Sequence, residues 1–455
     1  MPCAVSLAQL IDVLDATLLG LETLPPALEA SGITTDTRQL QAGEIFLALR
    51  GENFDGHGFL ATAAERGAIA AIVDFQGSGS GPTGFPLLQV KDTLEAYQTL
   101  GRWWRDRFQI PVIAVTGSVG KTTTKELIAA LLSRHGKVLK SQANYNNEIG
   151  VPKTLLELTP DHDFAVVEMG MRAEGEIALL SQIARPDIAV ITNVGTAHIG
   201  RLGSEAAIAR AKCELLAEMP ATGTAILNYE NPLLLETAAP LWAGKTLTYG
   251  LTGGDIQGEL ISPDTLQVKG LSLPLPLPGQ HNALNYLAAL AVADRLGLDW
   301  ADLTAGLTVT LPAGRARRYD LGQDIVVLDE TYNAGLESML ASLHLLAQTP
   351  GNRRIAVLGT MKELGDRSPE FHYKVGSRVR ELGLDNLLIL ADPAEAQAMA
   401  EGAKPLASEQ FDDHGAVVDR LKQLVQPGDR ILFKASRAVG LDRVVEQFQQ
   451  QYQAS

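Results

Sequence analysis

The segment Thr116–Thr124 (TGSVGKTTT) follows the apolar run IPVIAV and precedes the helical stretch KELIAALLSRHG. A glycine-rich turn between a buried strand and a helix is a phosphate cradle. Gly117 and Gly120 let backbone N–H groups turn inward around phosphate oxygens, and the helix adds its positive N-terminal end. Lys121 then reaches the β and γ phosphates and Thr122 offers a hydroxyl to magnesium, while Ser118, Val119 and Thr123 complete the loop. The common form of the loop has glycine five residues before Gly120. Val115 stands there, which points away from ordinary P-loop GTPases. A glycine turn with an incidental lysine is the bland alternative, and the strand-loop-helix context weighs against it.

The runs IPVIAV, DFAVVE, DIAVITN and GTAILN are β-branched and of parallel-strand type, which predicts a doubly wound α/β domain around that loop. Before it, GEIFLAL and AIAAIVD read as buried strands, QGSGSGPTG as a mobile surface loop, and Thr93 to Phe108 as a helix. Proline-rich LSLPLPLPG reads as an extended edge segment, followed by a helix from Asn282. DIVVLDE, RRIAVLG, NLLILAD and RILFKAS then supply the strands of a third α/β unit. The expected division is 1–91, 92–312 and 313–455.

Composition narrows the partners. With 455 residues and a formal charge of -15, the chain lacks the basic surplus that grips nucleic acid without regard to sequence. MPCAVSLAQLIDVLDATLLG has no basic start before an apolar stretch, and no run of 18 apolar residues occurs, so the expectation is a cytoplasmic protein without a membrane span. Cys3 and Cys213 make neither a disulfide framework nor a zinc site.

Other polar residues stand where doubly wound sheets place ligands, at strand ends. Glu168 ends FAVVE and suits a hard cation near Thr122, though alone it is equally a solvated carboxylate. His198, after ITNVGTA, reads alone as a structural histidine, and Lys212 in ARAKCELL as a surface lysine. Asn282 and Asn285 share a helix face, with Asn282 alternatively the N-cap and His281 a nucleotide contact or a helix-entry residue.

Together, TGSVGKTTTKE, NYNNEIGVP, VVEMG, ITNVGTAHIGRLGS and AKCELL resemble the Mur ligase superfamily, which includes folylpolyglutamate synthases. NYNNEIGVP, with Asn146 and Asn147, is similar to the pattern of the member that adds D-alanyl-D-alanine. GITTDTRQLQAGEIFLALRGENFDGHGF resembles the uridine-nucleotide-binding domain of the muramoyl peptide ligases. PGQHNALNYLAAL, LPAGRAR, DETYNAGLESM, GTMKELGD and LFKASRAVGLDRVV extend the resemblance over essentially the whole chain.

The resemblance implies three α/β domains: a small one for the UDP-muramoyl peptide, a central ATP-binding one, and a Rossmann-like one for the incoming dipeptide. It implies an ATP-dependent ligase, acting as a monomer, that joins D-alanyl-D-alanine to UDP-N-acetylmuramoyl-tripeptide in peptidoglycan precursor synthesis. Two magnesium ions are expected. Thr122 and Glu168 would hold one, while His198 and a carbamylated Lys212 would serve the other. Asn285 would read adenine, Arg315 would meet the γ-phosphate, and Asp329, Tyr332 and Asn333 would meet nucleotide or dipeptide. Lys434, Ser436 and Arg437 are candidates for the dipeptide carboxylate; Thr37, Arg38, Asn53, Phe54, Asp55 and His57 for the UDP-muramoyl group. A polar turn with Phe54 buried is the alternative for ENFDGHGF.

Three positions, in two places, depart from the family pattern. Gly335 and Leu336 replace an asparagine-proline, and Ala435 replaces a glycine, which would shift backbone near the dipeptide if that glycine's freedom mattered. A different amide ligase of the superfamily is one alternative. A nucleotide-binding regulator without catalysis is another, and the complete set Lys121, Glu168, His198, Lys212 and Arg315 argues against it.

Overall fold

The computed structural model describes residues 5–21, 28–51, 54–77, 79 and 81–453. Cys3 and Asn53, and Ser78 and Ser80 of the loop expected to be mobile, lie outside them. Three α/β domains follow one another, each around its own main sheet.

In the central domain, the phosphate-loop strand Val112–Thr116 lies inside a nine-stranded sheet, between Phe164–Glu168 and Ile188–Ile191 and parallel to both. Val138–Lys140 closes one edge; Thr224–Asn228, Lys245–Gly250 and Ile256–Ser262 continue the parallel run on the other side. Thr265–Val268 and Leu271–Pro274 then pair antiparallel, so the proline-rich segment is an edge strand, as its composition predicts.

Side chains of Val112–Thr116 alternate between two cores: Val112 and Ala114 enter one, Ile113 and Val115 the other. Both faces are dry, which explains why these strands read as unbroken apolar runs. Chain direction across the sheet reverses at this strand, and the crevice beyond its C-terminal end is where such folds bind ligands.

The first domain has a five-stranded sheet ordered Thr17–Leu19, Leu87–Gln89, Ala70–Val73, Ile45–Leu47, Ile33–Thr34. The third has six strands, ordered Arg317–Asp320, Val326–Asp329, Asp429–Lys434, Arg353–Gly359, Asn386–Leu390, Ser408–Gln410.

Burial corrects several readings. Lys212, a surface lysine when read alone, is 1% exposed, and Glu168 is buried rather than solvated. Asn282 is not the N-cap: the helix Gln280–Arg295 starts after Gly279, and Asn282 Nδ2 donates to the Pro278 carbonyl at 2.8 Å. Phe54 is 51% exposed and stacks on Phe59, so the turn ENFDGHGF does not bury it. Ala435 is buried with no left-handed φ, so its backbone does not need glycine's freedom.

Candidate active site

The phosphate loop is tied to the neighbouring strand end by side-chain and backbone hydrogen bonds. Asn193 Oδ1 accepts the Val119 N–H at 3.0 Å, Asn193 O accepts Ser118 N–H at 3.0 Å, and Ser118 Oγ accepts Gly195 N–H at 2.9 Å. Gly120, at φ +84°, caps the helix Lys121–Leu132. A Cβ there would lie 2.6 Å from Asn285 Oδ1, so both backbone angle and space require glycine. The helix Gln280–Arg295 packs on the phosphate-loop helix. There Asn285 accepts from Thr124 Oγ1 at 3.2 Å and donates to Asn282 Oδ1 at 3.3 Å.

Lys121 folds back, donating to Gly117 O at 2.8 Å, and burial lowers its pKa. Across the cleft, Glu168 Oε1 accepts from Asn146 Nδ2 at 2.9 Å, while Oε2 has no hydrogen-bond partner among the described residues. Lys125 Nζ stands 3.8 Å from that oxygen and donates to Ser141 O at 2.8 Å. Lys125 is fully buried and was not singled out from sequence. A lysine-glutamate pair directly before the apolar run LIAALL was its only signal.

His198 adopts φ +66°, and its Nδ1 lies 2.6 Å from Glu363 Oε2 of the third domain. Burial lowers its pKa, as does the positive charge of Lys121. Lys212, on the helix Glu205–Ala217, is buried and is not among the residues that line the cleft. Burial, and next the charge of Lys121, push its pKa well down.

The third domain faces the loop with Arg315 stacked on Tyr332 and with Lys434, which donates to Asn333 O at 3.1 Å and lies 3.9 Å from Glu330. Ser436 Oγ donates to Ala334 O at 3.3 Å, and exposed Arg437 pairs with Asp442. Asp329 does not line the cleft: its Oδ1 accepts Thr331 N–H and Oγ–H at 3.0 and 2.6 Å, and Glu330 is the carboxylate that faces in.

All three domains contribute to one cleft of about 1260 Å³, which gathers the phosphate loop, Asn146, Asn147, Glu168, His198, Asn285, Arg315, Tyr332, Asn333, Lys434, Ser436 and Arg437. From the first domain it takes Thr35, Asp36 and Gln39, which sequence reasoning missed by a few positions. Thr37, Arg38, Phe54, Asp55 and His57 are not in the lining. Arg38 forks onto Asp36, and His57 is buried with its Nδ1 at 2.6 Å from Asp55 and its Nε2 accepting Asp74 N–H at 3.1 Å. That ring is occupied in holding its own loop.

Comparison with known proteins gives relatives over nearly the whole chain. The chain matches the Mur ligase family catalytic domain over residues 29–93, the Mur ligase middle domain over 115–293, and the Mur ligase glutamate ligase domain over 314–437. It is 60% identical over 442 residues, 97% of each chain, to the UDP-N-acetylmuramoyl-tripeptide–D-alanyl-D-alanine ligase of Synechocystis sp.. To the enzyme of that name from Escherichia coli it is 37% identical, covering 98% of this chain and 99% of the relative. Its fold is similar to the crystal structure of MurF from Acinetobacter baumannii (TM-score 0.90, 33% identity, 99% of both chains). It is also similar to the MurF ligase of Thermotoga maritima in complex with ADP (TM-score 0.83, 30% identity, 95% of this chain and 100% of that one). On the matched domains, the shared length and this similarity, the chain belongs to the Mur ligase family.

Proposed function

We propose that the chain is an ATP-dependent carbon–nitrogen ligase that joins D-alanyl-D-alanine to UDP-N-acetylmuramoyl-tripeptide, in peptidoglycan precursor synthesis. The observation that carries this reading is one cleft in which a phosphate loop, a buried carboxylate and third-domain cations face each other. The substrates are those in the names of the relatives, at up to 60% identity over nearly the full length.

In the proposed reaction, the terminal carboxylate of the tripeptide attacks the γ-phosphorus of ATP, the bond to ADP breaks, and an acyl phosphate forms. The unprotonated amine of the dipeptide attacks the acyl carbon and phosphate leaves. Lys121 and Arg315 stabilise the transferring phosphoryl group from opposite domains, and Asn285 holds the adenine end. Lys434, Ser436 and Arg437 are assigned to the dipeptide carboxylate; Tyr332 and Asn333 border it. Asn146 fixes the Glu168 carboxylate. Closure of the cleft keeps water from the acyl phosphate.

Magnesium fits this donor set. Glu168 Oε2 is a buried oxygen without a hydrogen-bond partner among the described residues, Thr122 stands in the loop, and the described residues contain no group of three His, Cys, Asp or Glu side chains that could hold a metal. An ion here would rely on substrate oxygens and water, as magnesium does. It would neutralise charge on the phosphates. Thr122 and Glu168 are assigned to one ion, and His198 with Lys212, carbamylated by carbon dioxide, to a second. The lowered pKa of buried Lys212 supports that modification.

Residues 1–91, 92–312 and 313–455 are proposed to serve the muramoyl peptide, ATP and the dipeptide respectively. A monomer is proposed as the working unit. No helix among the described residues is long and apolar enough to cross a membrane, which fits the proposed cytoplasmic location.

Phosphate release from ATP, measured with the UDP-muramoyl tripeptide plus D-alanyl-D-alanine, single amino acids or neither, tests the reading. Release only with the dipeptide is expected. Release with a single amino acid would transfer the chain to another ligase of the family, and silence with intact ATP binding would remove the enzymatic reading.

A further inference from the structure

The helix Leu336–Gln348 of the third domain begins at the cleft, and its first turn carries Glu337. That carboxylate crosses to the central domain, where Oε1 accepts the Thr196 N–H at 2.7 Å and Oε2 accepts the Thr196 hydroxyl at 3.2 Å. Both bonds end on an ionised acceptor and are the stronger for it. The approach depends on Gly195, since a Cβ there would lie 2.6 Å from Glu337 Cδ.

A second brace lies alongside. The Glu363 carbonyl accepts Gly200 N–H at 3.1 Å, its side chain lies 3.5 Å from Arg201 and 2.6 Å from His198, and the backbones of Gly200 and Gly365 meet closely. The segment Gly195–Arg201 is therefore gripped from two elements of the third domain. The same segment anchors the phosphate loop, through Gly195 N–H to Ser118 Oγ.

We infer that Glu337 is a positioning residue, which docks the third domain on the Gly195–Thr196 turn and thereby sets Arg315 and Lys434 opposite the phosphate loop. Through Gly195 N–H to Ser118 Oγ, that turn is in direct contact with the loop. The role concerns geometry between domains, so ATP binding by the loop itself is expected to survive its loss.

The test combines solution scattering of the ligand-free chain with steady-state kinetics. Glu337→Ala should give a larger radius of gyration than wild type, a kcat lower by about tenfold, and a KM for ATP within about twofold. Glu337→Gln keeps an oxygen acceptor for Thr196 and should recover most of both losses. Gly195→Ala should reproduce the Glu337→Ala behaviour by pushing the carboxylate away, and the double variant should be no worse than either single one. An unchanged radius with kcat within twofold of wild type in Glu337→Ala would overturn the inference, as would fully additive effects in the double variant. Melting temperatures of all variants check that each is folded, and Glu337→Gln decides the matter if Gly195→Ala is not. Scattering needs neither metal nor substrate, so it judges the docking even if the proposed ligation fails.

Discussion

The guanidinium carbon of Arg315 lies 4.0 Å from the centre of the Tyr332 ring, and its Nε has no hydrogen-bond partner among the described residues. Stacking on an aromatic face holds a planar cation while leaving its donors free for an incoming oxyanion. Lysine cannot reproduce that plane. Arg315→Lys should lower kcat by at least ~100-fold, and Arg315→Ala by ~10³ or more, on the scale of arginines that compensate transferring phosphoryl groups. Phosphate-release kinetics measures this, and a melting temperature near wild type would show that the loss is chemical.

Lys212 separates stability from activity. A buried amine with no modification costs free energy that a methionine of similar shape does not. Lys212→Met should melt at or above the wild-type temperature and have no measurable turnover, and Lys212→Ala should regain part of its turnover with added short carboxylic acids. Full activity in either variant would remove the proposed carbamate.

Gly120→Ala should cost about 1–2 kcal/mol in backbone strain alone, since φ is +84°. The added methyl also meets Asn285 Oδ1, so the ATP KM should rise along with the loss in urea midpoint.

His281 gives the chain an acid weakness. Burial, with help from Lys434 and His344, lowers its pKa to about 4. Between its ordinary value and that one, the unfolded chain binds a proton that the folded chain refuses, so its contribution to stability is present at neutral pH and is lost as pH falls through this window. Urea unfolding should show His281→Gln gaining on wild type as pH drops from about 7 to about 5. A constant difference between the two would contradict this.

How much of this was legible in sequence depended on distance along the chain. The phosphate loop, its strand and its helix are contiguous, and local rules suffice for Gly117 to Thr122. The dry strands announced themselves as apolar runs. Burial of Lys212 was invisible, because the helix Glu205–Ala217 carries charge at other positions and only tertiary packing decides which face is covered. Glu337 and Glu363 act across a domain boundary, and no local pattern carries that information. In the first domain the motif was recognised but shifted: Asp36 rather than Arg38 lines the cleft, because Arg38 is turned back onto Asp36 by a two-residue fork.

The central claim is amide formation through an acyl phosphate, and isotope transfer tests it most directly. The UDP-muramoyl tripeptide is prepared with heavy oxygen in its terminal carboxylate, and the released phosphate is analysed by mass spectrometry after turnover with ATP and D-alanyl-D-alanine. The account predicts that one heavy oxygen passes from carboxylate to phosphate for each amide formed. Amide formation with unlabelled phosphate would contradict it.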